Sequence, residues 1–531
     1  MAYYGIPSIL TVYIKNMLYQ GTVSSSSDVS NYWTGALWIT SALGAYVADA
    51  RLGCYWTFLI ASAIYLLGMC LLTLSVSLPA LRPPQCHQVD NVSLCKQAPS
   101  LQLGVFYVAV LVTLAIGIGG TKLNILIFGA DQVDYFDRRE EAQKFSFFNW
   151  WMFSMSLGTL FANTFLVYIQ GNVSWVLGYV IPTVGLAISI VIFLAGTPFY
   201  RHRRPAGSPY LRMLKVIVAA IRKWRVPIPN DPNQLFEHDL EEYTSNGNFR
   251  IYSTSTLRYL NKASVRTDSS SPWMLCSVTQ VEETKQTLCM IPVMIATFVP
   301  STMLSQINTL FVKQGTTLDT SIGSFHIPPA SLITFVSMSV LVCIVIYDQF
   351  FKMMRRLTRN SRGISILQRM GIGLFLYIIV MVIASLTERK RLSVAKQHGL
   401  VDSGGTVPLS IFILLPQVIC MGLAETFLEV AKIEFFYCRA PKSMKSVGIS
   451  YSMIGQGIGS LLSSFLLSTV SDITKRDGHK VWIQDNLNAS HLDYYYAFFA
   501  GLNLLNFIFF LVGTKLCVYK AVTSEPINGN A

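Results

Sequence analysis

Roughly twelve stretches of about 20 mostly apolar residues run through this chain, each long enough to cross a bilayer as a helix. They fall near 2–19, 32–49, 55–78, 102–129, 146–169, 173–196, 285–312, 328–350, 364–387, 408–436, 444–470 and 492–518. Lipid offers no partner to an open backbone group, so segments of this length and polarity are expected to be helical throughout. The expected fold class is therefore an all-α polytopic membrane protein. Charge content supports it: 13% of the 531 residues are charged, about half of what a soluble domain carries. A water-soluble protein is excluded. Ten cysteines in this length are too dilute for a disulfide scaffold.

The stretches divide six and six around one long polar segment. The expected organisation is a six-helix bundle over 1–196, a cytosolic connector over 197–284, a second bundle over 285–519 and a cytosolic tail over 520–531. Two such halves place a binding site at their interface. The net charge of +13 would suggest nucleic acid in a soluble chain. Here the basic residues gather in loops between apolar runs, where they set topology and meet lipid headgroups, and no nucleic-acid partner is expected. A cytosolic amino terminus puts Arg138, Arg139 and Lys144, then Lys352, Arg355, Arg356, Arg359 and Arg362, then Arg439, Lys442 and Lys445 on the cytosolic side. The connector adds Arg201, Arg203, Arg204, Arg222, Lys223 and Arg225, whereas Arg389, Lys390 and Arg391 fall in an outward loop against the rule. The sequons at Asn91, Asn172 and Asn488 also face outward in this topology. Cys86 and Cys95 flank Asn91, and both a disulfide and two thiols are open there. Met1 leads straight into an apolar stretch holding Lys15, so no separable signal peptide is expected.

Within the connector, Tyr210–Trp224 has the pattern of an interfacial helix. Leu211, Leu214, Val218 and Ile221 share a face, with Arg212, Lys215, Arg222 and Lys223 around it. The Ser/Thr/Asn-rich sequence that follows, to about residue 272, reads as a flexible linker, or as the substrate of a kinase acting on the central loop.

Ionisable residues inside spans are costly and carry the functional expectation. Lys122 follows Gly117, Gly119 and Gly120 and lies about nine residues, roughly 13 Å, from Asp131, near mid-membrane. The alternative is a lysine that snorkels to the surface. The tenth stretch holds Glu425, Glu429, Lys432 and Glu434. At about 100° per residue the first three form one stripe and Glu434 points the opposite way. Lys432 can neutralise Glu429, which leaves Glu425 as a deeper carboxylate able to exchange a proton. A salt bridge from Lys122 to Glu425 across a central cavity is then expected, the alternative being a carboxylate used in helix packing. Asp49 and Asp348 end the second and eighth stretches on the cytosolic side, as a gating pair would. Pro182, Pro292, Pro300 and Pro416 lie in apolar runs that they could kink, and Gly455, Gly457 and Gly459 suit close helix packing. No phosphate-binding loop, metal-ligand cluster or nucleophile–base motif is present in the sequence. No cofactor and no enzymatic reaction are expected.

Several motifs occur together in order: Ala2-Tyr3-Tyr4-Gly5, Trp33-Thr34-Gly35, Gly44-Ala-Tyr-Val-Ala-Asp49, Gly119-Gly120-Thr121-Lys122 and Phe128-Gly-Ala-Asp131-Gln132. They continue with Phe147-Phe-Asn149-Trp, Ile327-Pro-Pro-Ala-Ser331, Leu415-Pro-Gln417, Ala424-Glu425-Thr-Phe and Glu434-Phe-Phe-Tyr437. Over nearly its whole length the chain resembles a plant-type member of the nitrate transporter/peptide transporter family, within the proton-dependent oligopeptide transporters. The resemblance implies a major facilitator fold, alternating access and proton-driven uptake. It implies that Lys122 binds a substrate carboxylate, that Glu425 meets a peptide amino group, and that Tyr3 and Tyr4 line the cavity. Asn149 and Gln306 are expected to line it as well, with Glu434 as a further carboxylate.

The departures matter too. The family's Glu-x-x-Glu-Arg motif ahead of the tyrosine pair is absent before Met1, so the resemblance implies a chain beginning inside the first helix and poorly coupled to protons. Ile6-Pro7 stand where peptide carriers often have a basic residue, and Cys54 replaces the arginine usual ahead of Tyr55-Trp56-Thr57. The stretch 285–312 has no histidine, which the best-known nitrate site of the family uses. The sequence therefore favours a symporter of small nitrogenous solutes, di- and tripeptides ahead of nitrate, hormones or other organic anions. A transport-defective sensor or regulatory partner is the reading from another class. The plasma membrane is favoured over the vacuolar membrane.

Overall fold

In a computed structural model of the chain, the described residues are 23–78, 101–132, 138–166, 168–169, 173–202, 207–229, 231, 234–238, 250–267, 273–322, 325–326, 329–358, 364–401, 404–441, 444–476, 482–484 and 486–516. The first expected span, Tyr3, Tyr4, Cys86, Cys95, Asn91, Asn172 and the tail lie outside them, as does the side chain of Asp348.

The amino-terminal half contains α1 (Val23–Val47), α2 (Gly53–Ser77), α3 (Leu101–Ala130), α4 (Arg138–Phe161) and α5 (Trp175–Ala195). A connector helix α6 (Pro209–Arg222) follows. The carboxy-terminal half opens with a span of four α-helical pieces, α7 (Val278–Cys289), α8 (Ile291–Ala296), α9 (Phe298–Gln306) and α10 (Val312–Gly315), the last two joined by the π-helical turn Ile307–Phe311. It continues with α11 (Leu332–Thr358), α12 (Ile366–Gln397), α13 (Leu415–Arg439), α14 (Lys445–Arg476) and α15 (Leu492–Leu516). Pro292 sits in the first turn of α8, where its missing N–H is not needed, and helps break the span there. Among the described residues, seven helices are long and apolar enough to cross a membrane, and the bent pair Val278–Ala296 with Phe298–Gly315 makes up to eight. The first of them, Trp33–Ser77, crosses twice. Gly53, at φ 77°, turns the chain after the π-helical turn Ala48–Leu52. Gly119 of α3 then meets Thr40 and Ser41 of α1, while Gly117 and Gly120 meet Tyr65 and Ala61 of α2, so α1 and α2 lie at the same depth. With α4 and α11, of 24 and 27 residues, helices coincide with every expected span after the first.

The glycines of α3 are where backbones touch. A Cβ at Gly117 would stand 2.6 Å from the Tyr65 backbone. Gly117→Ala is therefore expected to cost about 1–3 kcal/mol through overpacking, read as a lower melting temperature of the purified protein. Gly185→Ala, with nothing within 4 Å, should leave that temperature unchanged.

Three expectations are corrected. Arg389, Lys390 and Arg391 do not lie in a loop, because α12 runs on to Gln397. Arg391 is fully buried. Its guanidinium meets Glu388 at 2.6 and 2.9 Å, Asn488 Oδ1 at 2.6 Å, Thr317 Oγ1 at 3.1 Å and the Leu487 carbonyl at 2.9 Å. Gln314 also donates to Glu388 at 2.6 Å. The sequon at Asn488 is likewise structural: that side chain is 3% exposed and donates to the carbonyls of Leu400 and Gly405. A buried amide with every group engaged cannot accept a glycan.

The connector is the third. Its described parts are ordered rather than a passive linker. Val216, Ala219 and Ala220 of α6 pack on Ala263, Cys276 and Val281. Lys223 Nζ donates to the Ala263 and Val265 carbonyls at 3.3 and 2.6 Å, and burial lowers its pKa. Glu282 accepts from the Thr254 amide and hydroxyl and pairs with Lys285 at 2.7 Å, and Glu237 accepts from Thr279. Small strands shape the far end of the second half: β1 (Leu318–Asp319) pairs in parallel with β4 (Val407–Ser410), and β2 (Ser321–Ile322) is antiparallel to β3 (Phe325–His326).

Candidate functional site: a cavity with both charges

The halves meet along two seams. On one, Gly35 of α1 abuts Leu461 and the Gly457 carbonyl of α14; on the other, α4 packs on α11. Between them lies a cavity of about 240 Å³, lined among others by Trp38, Lys122, Trp151, Glu425, Glu429 and Gln456. Lys122 comes from α3, whose glycines hold it against α1, and its ammonium sits 3.9 Å from the Trp38 ring centre. A cation over an indole face is held there electrostatically.

The opposing wall is α13. Pro416 occupies its first turn and does not interrupt it. Lys432, fully buried, binds Glu429 Oε1 at 2.6 Å, as the stripe predicts. Gln456 of α14 donates to Glu429 Oε2 at 2.8 Å. Both Glu429 oxygens are thus engaged inside the protein. Glu425, one turn away, has no hydrogen-bond or ion-pair partner among the described residues. It shares the cavity with Lys122 as expected, without the direct ion pair foreseen between them. The cavity holds opposite charges on opposite walls, held apart.

Other expected site residues are placed elsewhere. Gln306 does not line the cavity. Ser301, Leu304 and Ser305 take that face of their helix, which turns Gln306 inward to donate to the Tyr495 hydroxyl at 3.0 Å. Asn149 and Glu434 do not line it either. They meet Arg369 of α12, which donates to Asn149 Oδ1 at 3.2 Å, lies 3.8 Å from Glu434 and stacks 4.1 Å from the Tyr347 ring centre. Glu434 does point away from the Glu425 stripe, as the helical phase requires. Arg369 was missed by sequence reasoning, although a single arginine inside the apolar run 366–387 was the signal. Trp38 and Gln456 were missed too, and nothing short of the packing distinguishes them from other residues of their types.

At the end of the cavity where α1 turns into α2, side chains tie the halves together. Asp49 accepts from the Val447 amide at 3.2 Å, the Tyr437 hydroxyl donates to Asp131 at 2.7 Å, and Cys54 lies 3.7 Å from the Ser446 hydroxyl. Lys445 donates to the Tyr437 carbonyl and lies over its ring. Asp49, expected as a gating residue, thus joins the two halves at this end.

Two helical halves around a charged central cavity, fastened at one end, define a membrane transporter of the major facilitator type. The PTR2 model, described as the POT family, matches residues 55–483. The chain is 58% identical over 531 residues to Protein NRT1/PTR FAMILY 5.2 of Arabidopsis thaliana, covering 99% of this chain and 90% of that one. It is 46% identical to Protein NRT1/PTR FAMILY 5.1 of the same plant, covering 98% and 88%. Among solved structures, the POT family transporter PepTSo superposes with a TM-score of 0.64 at 18% identity, over 97% of this chain and 95% of that one, a likeness of fold. The chain belongs to the POT family, in its nitrate and peptide transporter branch. It is a polytopic integral membrane transporter and not an enzyme.

Proposed function

We propose that this chain is a proton-coupled symporter of small nitrogenous solutes, with di- and tripeptides ahead of nitrate, working by alternating access at the plasma membrane. The supporting observation is the placement of Lys122 and Glu425 on opposite walls of one cavity. A zwitterionic peptide carries a carboxylate for the lysine and an ammonium for the glutamate, whereas nitrate would use only the cation. Burial in low dielectric makes an unmatched end costly, so a solute bearing both charges binds best. The halves 1–196 and 285–519 then rock about the cavity, with Asp49, Asp131 and Tyr437 releasing on the cytosolic side. Glu425 takes the proton when the ammonium leaves, so coupling in this reading does not depend on the Glu-x-x-Glu-Arg motif whose absence led to the expectation of poor coupling. Arg369, Asn149 and Glu434 brace the seam between α4 and α13 rather than touch the solute.

The test is uptake by the purified chain in proteoliposomes, with acidic medium outside. Labelled dialanine should accumulate, a protonophore should abolish accumulation, and nitrate should not compete. Nitrate uptake without dipeptide uptake would reverse the substrate order. Binding without any uptake would favour the sensor.

A further inference from the structure

We propose that the outward face of α6 binds the anionic cytosolic leaflet and that this contact holds the cytosolic fastening closed. The helix begins at Ser208, whose hydroxyl accepts from the Leu211 amide, and it has two unlike faces. One is spent on the connector core through Val216, Ala219 and Ala220. The other leaves Leu211, Leu214, Ile221 and Trp224 between 43% and 59% exposed, which water would penalise and a lipid surface would not. Arg222 and Arg225 are exposed beside it, and the Arg225 guanidinium lies 4.6 Å from the Trp224 ring centre. Exposed apolar groups rimmed by fixed positive charge match an acidic headgroup layer rather than a neutral one.

The same helix also touches the fastening from both sides. The Tyr210 ring lies 5.7 Å from that of Tyr46, at the cytosolic end of α1. Ser450 of the second half and Asp49 both lie near enough to act electrostatically on its hydroxyl. Met213, one turn on, belongs to the packed cluster that includes Met444 and Val447. The Asp49–Val447 contact therefore lies against α6. A leaflet that fixes α6 in this place also fixes residues of both halves, and the fastening cannot part without lifting the helix from the lipid.

Hydrogen exchange on the full chain tests this without any substrate, so its outcome is independent of the transport reading. The protein is placed in nanodiscs of phosphatidylcholine alone, and of phosphatidylcholine with a minority of phosphatidylserine. Each basic residue at an anionic surface shifts binding by roughly fivefold. Exchange of the amides in 444–450 is expected to slow at least about threefold with phosphatidylserine, together with those of α6. In the Arg222→Gln/Arg225→Gln double variant the lipid effect should vanish, and Arg222→Lys/Arg225→Lys should restore it, which separates charge from misfolding. Exchange in 444–450 that ignores the lipid overturns the proposal, whether or not α6 itself responds. An undiminished response in the glutamine variant overturns it equally.

Discussion

Lys122→Ala will lower uptake at least about tenfold, and so will Glu425→Gln. Each would remove one end of the proposed two-ended grip inside a cavity where an unmatched charge costs a few kcal/mol. In the proposed reading both residues hold the same solute, so the double variant should lose less than the product of the two single losses. Initial uptake rates at fixed external pH, normalised to the protein present, measure this. Losses that multiply strictly would mean the residues act on separate steps. Glu429→Gln supplies the contrast: it frees Lys432 and Gln456 inside the protein, so it should reduce folded yield before it changes solute preference.

Arg391→Ala will destabilise the protein by about 3–5 kcal/mol, the usual consequence of stranding a buried carboxylate. Among the described residues Glu388 would keep only the Gln314 amide as a polar partner, and Asn488, Thr317 and the Leu487 carbonyl would each lose a donor. Arg389→Ala, at an exposed position two residues away, should stay within about 0.5 kcal/mol. Replacing the pair together, as Arg391→Met with Glu388→Leu, should recover part of the loss, since no unpaired charge remains. Thermal unfolding of the purified variants is the readout. Equal melting temperatures for Arg389→Ala and Arg391→Ala would show that the buried network contributes little.

The difference between those two arginines shows where sequence reasoning stops. Apolar length alone locates the spans, and the glycine run before Lys122 marks a close approach before any packing is known. Helical phase alone pairs Lys432 with Glu429 and turns Glu434 away. Yet phase assigns directions, not neighbours. It cannot say that Gln306 faces Tyr495, because the π-helical turn at Ile307–Phe311 and the breaks before it set that face. Nor can it separate Arg391 from Arg389: three consecutive basic residues read as a loop until α12 is seen to continue through them. The missing ion pair between Lys122 and Glu425 is a matter of how far apart two halves stand. That distance is a property of the conformation, and no local pattern in the chain encodes it.

Backbone contact between α1, α2 and α3 at Gly44, Gly117, Gly119 and Gly120 has a mechanical consequence. Helices that touch main chain to main chain have no side-chain layer to shear, so these three move as one solid piece. Lys122 and Asp49 are both carried on that piece. In the proposed rocking motion their separation would stay fixed, while the separation of Lys122 from Glu425 would change. The lysine would then act as a pointer fixed to the Asp49 contact, and the gap across the cavity would follow the opening of that end.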